Sequence, residues 1–162
     1  MNVLYLHGLQ SKLSPQKKTI LEQYGKVYAP DINYKATHIQ PARILKQFPD
    51  TEFNTIIGSS MGALNAYLIS ENIGRPALLF NPPLSKYQKI KFSSSFMKGL
   101  AFKQIILGGS DEVVNPSETM KFLGNHLKEA ELEIIINPHL GHRIPMEVFQ
   151  KQVRSFFSKL CY

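Results

Sequence analysis

The sequence predicts an α/β fold, a compact three-layer sandwich in which helices cover both faces of a mainly parallel sheet of about six strands. Two observations lead to this prediction. Short apolar segments rich in Val, Ile, Leu, Tyr and Phe alternate along the chain with segments of helical character. Prolines stand at or near the first turn of four helical segments, where a missing N–H has no effect. Strands that alternate with helices form parallel sheets buried on both faces.

The predicted strands end on Gly, Pro, Asn or Asp, as buried strands do. In chain order they are Asn2–Leu6, Lys26–Ala29, Thr55–Ile57, Ala77–Phe80, Gln104–Leu107 and Leu132–Ile136. The predicted helices are Ser14–Tyr24, Pro41–Gln47, Met61–Glu71, Pro116–Leu127 and Pro145–Lys159. Parallel sheets bind ligands at the carboxyl ends of their strands, so the residues that follow each strand are the first candidates for a site.

The length and composition predict one domain. A chain of 162 residues, 43% of them hydrophobic, has the size of one ordinary domain. Such a chain can bury roughly two-thirds of its unfolded surface. No internal repeat, low-complexity tract or linker-like shift in composition divides the sequence. We therefore expect a single domain over residues 1–162.

The net charge of +7 raises the question of an anionic partner. The lysines are dispersed, and no arginine-rich or aromatic-interleaved stripe occurs in the sequence. We therefore expect no nucleic-acid partner. The sequence does not predict an oligomeric state.

We expect a soluble, cytoplasmic protein without a secretion signal or a membrane span. The first residues lack a basic segment followed by an apolar one, and no stretch approaches the roughly 18 to 20 apolar residues of a span. Cys161 is the only cysteine, which excludes an internal disulfide, a Cys-rich metal site and a CxxC redox pair.

The stretch NTIIGSSMGALNAYL carries the first chemical signal, because an apolar strand runs through Gly-Ser-Ser-Met-Gly into a helix. This is the order of a G-x-S-x-G nucleophile elbow, in which a strained backbone exposes the hydroxyl of the central serine. Ser60 is the predicted nucleophile, and Gly58 and Gly62 let the strand and the helix approach each other. Ser59 lacks the symmetric glycine spacing. A glycine-rich turn without chemistry is the alternative interpretation.

The stretch ILGGSDEVVNP presents an acidic side chain just beyond a strand end. A carboxylate there can orient an imidazole and stabilise its charged form. Asp111 lies nearer the strand end than its rival Glu112, and we predict that Asp111 is the acid. An ordinary turn or cap residue is the alternative interpretation.

The stretch NPHLGHRIP follows the last predicted strand and contains two histidines. Histidine is the usual general base for a serine hydroxyl, because its pKa lies near the working pH. We favour His142, on the loop before the final helix, over His139 at the strand end. His38 and His126 are interpreted as surface histidines. The chain order Ser60, Asp111, His142 is that of α/β hydrolases and not of the chymotrypsin or subtilisin proteases.

The segment LYLHGLQSK follows the first strand and supplies a candidate oxyanion hole. In α/β hydrolases the loop after an early strand donates one N–H, and the residue after the nucleophile donates the other. The donors predicted here are the backbone N–H groups of Leu9 and Met61. His7 is interpreted as a structural residue that holds the loop.

The pieces YLHGLQS, IIGSSMGALNAYLIS, LLFNPPL, GGSDEVV and GHRI resemble the small bacterial YqiA-type esterases of the α/β-hydrolase superfamily. The resemblance runs from about Val3 to Phe149. It implies an open, mainly parallel sheet, a Ser-Asp-His triad with a two-donor oxyanion hole, and no metal or cofactor. It also implies hydrolysis of short-chain esters and acyl thioesters. The stretch 82–100, where these enzymes often carry a lid, is shorter here than in that family.

We therefore expect a serine esterase or thioesterase that works through an acyl-enzyme intermediate on a small-molecule substrate. An amidase or peptidase, and a fold that has lost turnover and only binds, are the alternatives. The region between Glu71 and Asp111 has basic residues and no acidic ones. Its residues Lys86, Lys89 and Lys91 are candidate contacts for an anionic substrate, and a solvated surface face is the alternative.

Overall fold

A computed structural model describes residues 1–89, 101–126 and 131–160. Within these ranges six strands form one sheet, in the order β2-β1-β3-β4-β5-β6, and every neighbouring pair is parallel. The strands are β1 (Asn2–Leu6), β2 (Lys26–Tyr28), β3 (Thr55–Ser59), β4 (Ala77–Phe80), β5 (Lys103–Gly108) and β6 (Leu132–Asn137). The predicted parallel α/β sheet is confirmed.

Helices connect the strands, as the alternating pattern predicts. They are α1 (Pro15–Glu22), α2 (Pro41–Leu45), α3 (Met61–Ile73), α4 (Pro116–Gly124) and α5 (Met146–Lys159), with a short 3₁₀ helix at Leu84–Lys86. Two of the helix starts combine a side-chain cap with a proline in the first turn. Ser14 accepts a bond from the N–H of Lys17 before α1, and Asn115 accepts one from Ser117 before α4.

The ends of several elements differ from the prediction by one to three residues. β3 continues through Gly58 to Ser59, because these residues pair with Leu79 and Phe80 of β4. The helix predicted to reach Tyr24 ends at Glu22, and the one predicted to end at Glu71 continues to Ile73, where Gly74 closes it with a left-handed backbone. α4 ends at Gly124, and its predicted last residue, Leu127, lies outside the described residues.

The two faces of the sheet carry two separate apolar cores. Leu4 and Leu6 face one core together with residues of α2, α3 and α4. Val3 and Tyr5 face the other core together with residues of α1 and α5. Because successive side chains of a strand point to opposite faces, this alternation requires a helical layer on each side of the sheet. The predicted three-layer sandwich is confirmed.

All six strands run in the same direction, so their carboxyl ends lie along one edge of the sheet. The loops that follow β1, β3, β5 and β6 therefore start from this edge, and they carry the residues singled out in the sequence. Among the described helices, none is long and apolar enough to cross a membrane.

Candidate active site

Ser60 occupies a sharp turn between β3 and α3. Its φ of 54° and ψ of −123° lie in a region that costs a non-glycine residue on the order of 1–3 kcal/mol. The turn is held by hydrogen bonds from the N–H of Ser60 to the carbonyl of Phe80 and from the N–H of Ala63 to the carbonyl of Ser60, both at 2.8 Å. Ser59, in contrast, is the last residue of β3. The strained turn predicted for a nucleophile elbow therefore falls at Ser60.

The two glycines that flank this turn are required by close backbone contacts. A Cβ atom at Gly58 would lie 2.5 Å from the carbonyl oxygen of Gly62. A Cβ atom at Gly62 would lie 2.1 Å from the carbonyl oxygen of Leu6 at the end of β1. Both distances are shorter than a nonbonded contact allows, so larger residues would push α3 away from the sheet.

Asp111 and His142 are brought together by the loops after β5 and β6. Oδ2 of Asp111 lies 2.9 Å from Nδ1 of His142, and Oδ1 lies 3.1 Å from the same nitrogen. The Asp111 side chain is 1% exposed and that of His142 is 24% exposed. Because a carboxylate accepts hydrogen bonds, the proton of a neutral His142 lies on Nδ1, which leaves Nε2 free to accept a proton.

The carboxylate of Asp111 is fixed by two backbone bonds as well. Its Oδ1 accepts hydrogen bonds from the N–H groups of Val113 at 2.8 Å and Val114 at 2.9 Å. The rival acid Glu112 is exposed. Of the two acidic residues, Asp111 is therefore the one positioned to orient His142.

The other histidines lie apart from this pair. His139 is exposed, and its backbone N–H donates a hydrogen bond to the side chain of Asn137 at 3.1 Å. The His126 ring stacks on Phe122 at a centroid distance of 3.9 Å, and His38 is exposed. Neither the ring of His139 nor that of His126 contacts Asp111.

Ser60 and His142 stand at the same edge of the sheet, after β3 and β6 respectively. Within the described parts of the chain, no hydrogen bond joins the Ser60 hydroxyl to the His142 ring. In the absence of substrate such catalytic bonds are often long and shorten only when the substrate binds. The structure thus pairs Asp111 with His142, and it places Ser60 in a separate strained turn.

Gly8, the residue before Leu9, lies beside the Ser60 turn. A Cβ atom at Gly8 would lie 3.1 Å from Cβ of Ser60. The Gly8 carbonyl accepts a hydrogen bond from Oγ of Ser11 at 3.1 Å. Because the N–H and C=O of a trans peptide point in opposite directions, the Leu9 N–H is turned away from Ser11.

The N–H of Met61 opens α3 and has no acceptor within the helix. Residues 1–89, 101–126 and 131–160 provide no hydrogen-bond acceptor for the N–H of Leu9 or of Met61. Two free N–H groups that flank a serine turn are the arrangement that stabilises an oxyanion.

His7 holds the loop that carries Leu9. Its Nε2 accepts a hydrogen bond from the N–H of Ile32 at 2.9 Å, so its proton lies on Nδ1, which donates to the Gly8 carbonyl at 2.7 Å. The hydroxyl of Tyr34 donates to the carbonyl of His7 at 2.8 Å, and burial raises the pKa of Tyr34 well above its usual value. His7 is thus engaged through both ring nitrogens and its carbonyl.

A cleft of about 540 Å³ opens next to the serine turn. Its lining combines apolar side chains with exposed basic ones, and it includes Lys35, His38, Ile39, Met61, Leu64 and Lys86. Lys89 is exposed three residues after Lys86, and the third predicted contact, Lys91, lies outside the described residues. Of the predicted lid region 82–100, only residues 82–89 are described.

The sequence analysis missed Asn81, which lies directly after β4 and is 2% exposed. Its side chain bonds to the end of β5 and to the loop that carries His142. The signal in the sequence was the Asn of LLFNPPL, a polar residue directly after an apolar strand, at the end of the sheet where the loops bury it.

In the described ranges, no group of three or more His, Cys, Asp or Glu side chains could hold a metal ion.

Comparison with protein families identifies a matching family. The model of an uncharacterised protein family, UPF0227, matches residues 2–93. Among proteins with curated descriptions, none matches this sequence.

Comparison with solved structures identifies the fold. A protein from Xanthomonas campestris, named as belonging to the alpha/beta superfamily of hydrolases, is 15% identical with a TM-score of 0.70 over 98% of this chain and 99% of that one. The Bacillus cereus carboxylesterase is 15% identical with a TM-score of 0.69 over 96% and 87% of the two chains. A carboxylesterase from Mesorhizobium loti is 18% identical with a TM-score of 0.65 over 99% and 89%. The chain therefore has the α/β-hydrolase fold.

Proposed function

The chain belongs to the protein family UPF0227, and within the α/β-hydrolase fold we propose that it is a serine hydrolase of carboxylic esters or acyl thioesters. The observation that carries the proposal is the buried Asp111 bonded to His142 at the same sheet edge as the strained turn of Ser60. The carboxylesterases among the structures of similar fold support the choice of an ester bond.

In the proposed reaction, Nε2 of His142 takes the proton of the Ser60 hydroxyl while Oγ attacks the carbonyl carbon. The leaving alcohol or thiol then receives that proton from His142, and an acyl-enzyme remains. Nε2 of His142 next takes a proton from a water, whose oxygen attacks the acyl carbon, and then passes that proton to Oγ of Ser60 as the bond to Oγ breaks and the acid is released. Asp111 stabilises the imidazolium form of His142 in both halves of the cycle.

The negative charge that develops on the substrate oxygen needs donors that are already in place. The N–H groups of Leu9 and Met61 are the proposed donors. Removing one donor of this type typically slows an enzyme by about a hundredfold to a thousandfold. Because both are backbone groups, side-chain changes at Leu9 or Met61 leave them in place, whereas a larger residue at position 8, whose Cβ would lie 3.1 Å from Cβ of Ser60, tests the Leu9 donor.

Two other functions use the same residues. An amidase or peptidase would need a stronger acid for the poorer leaving group, and a binding protein would need no turnover at all.

The single cysteine in 162 residues is in keeping with the cytoplasmic setting that we propose.

A test of the function starts from the purified wild-type chain and a fluorophosphonate probe, which forms a covalent adduct with activated serines. We expect labelling at Ser60 by mass spectrometry and hydrolysis of p-nitrophenyl esters or acyl-CoA thioesters in a chain-length series. Labelling without hydrolysis of any ester, thioester or amide would favour the binding protein. Failure of both would contradict the proposed function.

We also propose that the cleft beside the serine turn receives the anionic part of the substrate. Lys35 and Lys86 line it, and Lys89 and Lys91 follow in the basic segment that was singled out in the sequence. Apolar residues such as Leu64 share the lining, which suits a ligand that is apolar at one end and charged at the other.

The charge reversals Lys35→Glu and Lys86→Glu, made together, should lower kcat/KM for butyryl-CoA about tenfold or more at low salt, as a steering field predicts. The neutral ester p-nitrophenyl butyrate has the same acyl chain and should change less than twofold. Added salt should shrink the difference, because the Debye length is roughly 10 Å at 0.1 M.

The matched control is the double variant Lys46→Glu/Lys151→Glu, which changes the net charge by the same amount. Lys46 follows α2 and Lys151 lies on α5, and both are exposed. This double variant should leave the ratio of the two substrates unchanged. Equal losses on both substrates with the cleft variant would contradict the proposed anionic subsite and leave the serine hydrolase proposal intact.

A further inference from the structure

We infer that Asn81 is a positioning residue, which sets the distance between the Ser60 turn and the loop that carries His142. This inference rests on the proposed serine hydrolase function. The hydrogen bonds of the Asn81 side chain go to Gly108, Gly141 and His142 and not to the Asp111 carboxylate, so its effect would be exerted through the backbone of His142.

The side chain of Asn81 makes three hydrogen bonds, one to the end of β5 and two to the loop after β6. Its Oδ1 accepts a bond from the N–H of Gly108, the last residue of β5, at 2.8 Å. Its Nδ2 donates to the carbonyl of Gly141 and to the carbonyl of His142, both at 3.1 Å. One buried amide therefore connects the strand that leads to the acid with the loop that carries the base.

The backbone beside Asn81 is also bonded to the nucleophile turn. The carbonyl of Phe80 accepts the hydrogen bond from the N–H of Ser60 at 2.8 Å, and the N–H of Asn81 donates to the carbonyl of Ile106 at 2.9 Å. The peptide group between Phe80 and Asn81 thus links the Ser60 turn to β5. This peptide and the Asn81 side chain together connect the Ser60 turn with the loop that carries His142, which is also bonded to the chain after β5 by the N–H of Ser110 and the carbonyl of Leu140 at 3.1 Å.

Asparagine suits this position for two independent reasons. The φ of Asn81 is 47°, in the left-handed region where Asn is the most tolerated residue after Gly. The three bonds require an acceptor and a two-proton donor on the same short side chain, and only the Asn amide offers both. Asp has the same shape but no donor, and Gln is one methylene longer.

A bond to Asp111 is not sufficient to place the proton-accepting nitrogen of His142. The Asp111 carboxylate holds Nδ1, but the ring can pivot about that bond if the backbone of His142 shifts. A misplacement of about 1 Å can slow a reaction about a hundredfold. The two bonds from Asn81 prevent such a shift, because they hold the carbonyls of Gly141 and His142 themselves.

Two substitutions separate the donor role from the backbone conformation. Asn81→Gly keeps the left-handed backbone available and deletes all three side-chain bonds. Asn81→Asp keeps the acceptor for Gly108 but turns an oxygen toward the carbonyls of Gly141 and His142, which repels them. We expect kcat to fall about tenfold to a hundredfold in both variants, with the larger fall in Asn81→Asp and little change in KM for p-nitrophenyl butyrate.

A second readout does not depend on turnover. In the wild type, the proton on Nδ1 of His142 is hydrogen-bonded to Asp111 and should give a slowly exchanging imidazole signal in the NMR spectrum, assigned by its loss in His142→Ala. Both Asn81 variants should broaden or shift that signal. The two variants act differently, because Asn81→Gly deletes the bonds and Asn81→Asp introduces a repulsion, so if one fails to fold the other still decides.

Asn72→Asp is the matched control. Asn72 is also buried, donates a hydrogen bond to the carbonyl of Leu68, and lies near the far end of α3. That is about 16 Å along the helix from Met61, at 1.5 Å per residue. The Asn72→Asp variant should lower Tm without affecting kcat or the NMR signal of His142.

Asn81 variants that are folded and have wild-type kcat and an unchanged His142 signal would overturn the inference. So would an equal loss of activity in Asn72→Asp at equal loss of Tm, because that result indicates stability alone. If the wild type itself hydrolyses nothing and is not labelled, the proposed function fails, while the His142 signal still reports whether Asn81 positions the loop.

Discussion

Substitution of Ser60 by alanine should abolish fluorophosphonate labelling and lower ester hydrolysis by about three to six orders of magnitude. The reason is that the variant loses the only nucleophile in the proposed cycle, and knocking out the serine or the histidine of subtilisin costs about as much as removing the whole triad. The measurement is kcat/KM on the best ester of the chain-length series, with intact-mass analysis after labelling.

Ser59→Ala is the control for this experiment, because Ser59 is the neighbouring hydroxyl but ends β3 outside the strained turn. It should retain labelling and most of the activity. Ser60→Gly tests the strain directly, since Gly adopts a φ of 54° without penalty, and this variant should be inactive yet at least as stable as Ser60→Ala. An adduct found on Ser59 would refute the assignment.

Substitution of His142 by alanine should cost nearly as much activity as Ser60→Ala, because a serine hydroxyl without a general base is a poor nucleophile near neutral pH. The double variant Ser60→Ala/His142→Ala should lose little more than either single one, since the members of a triad act as a unit. Rates are compared at saturating ester, with CD spectra and Tm to show that each variant is folded.

Asp111→Asn and His139→Ala complete this series. An amide at position 111 can present its N–H to Nδ1 of His142, which favours the wrong tautomer and should lower kcat by several orders of magnitude. His139 is exposed and lies outside the Asp111 contact, so His139→Ala should change activity less than twofold. A larger loss from His139→Ala than from His142→Ala would show that the base lies at the other position of the loop.

The sheet was predictable because its signals are local. Asn2–Leu6 is apolar after its first residue and Ala77–Phe80 is apolar throughout, as strands buried on both faces must be, and both have the predicted bounds. The ends of helices were less predictable. α1 ends at Glu22 and α4 ends at Gly124, two and three residues before the predicted ends. The reason is that the backbone hydrogen bonds that end a helix leave no trace in the pattern of apolar residues.

The strained turn at Ser60 was also predictable from a local pattern, since strand, turn and helix are contiguous in the chain. The spacing of Gly58 and Gly62 indicated that β3 and α3 pack closely. In the structure a Cβ atom at either glycine would lie 2.5 Å or less from a carbonyl oxygen. The pairing of an acid with a base was not local. Glu112 remained a rival of Asp111 in the sequence, and only the folded chain shows that Asp111 is buried against His142.

By itself the sequence determined the α/β class and the strand, serine, helix turn at Ser60, because each depends on periodicity or on residues within one turn. Only the tertiary structure decided the partners of His142 and the role inferred for Asn81. The bonds of Asn81 join residues 27, 60 and 61 positions apart, and those of His142 to Asp111 join residues 31 positions apart. No pattern along the chain encodes such distances, because they exist only once parallel strands have brought their carboxyl ends to one edge.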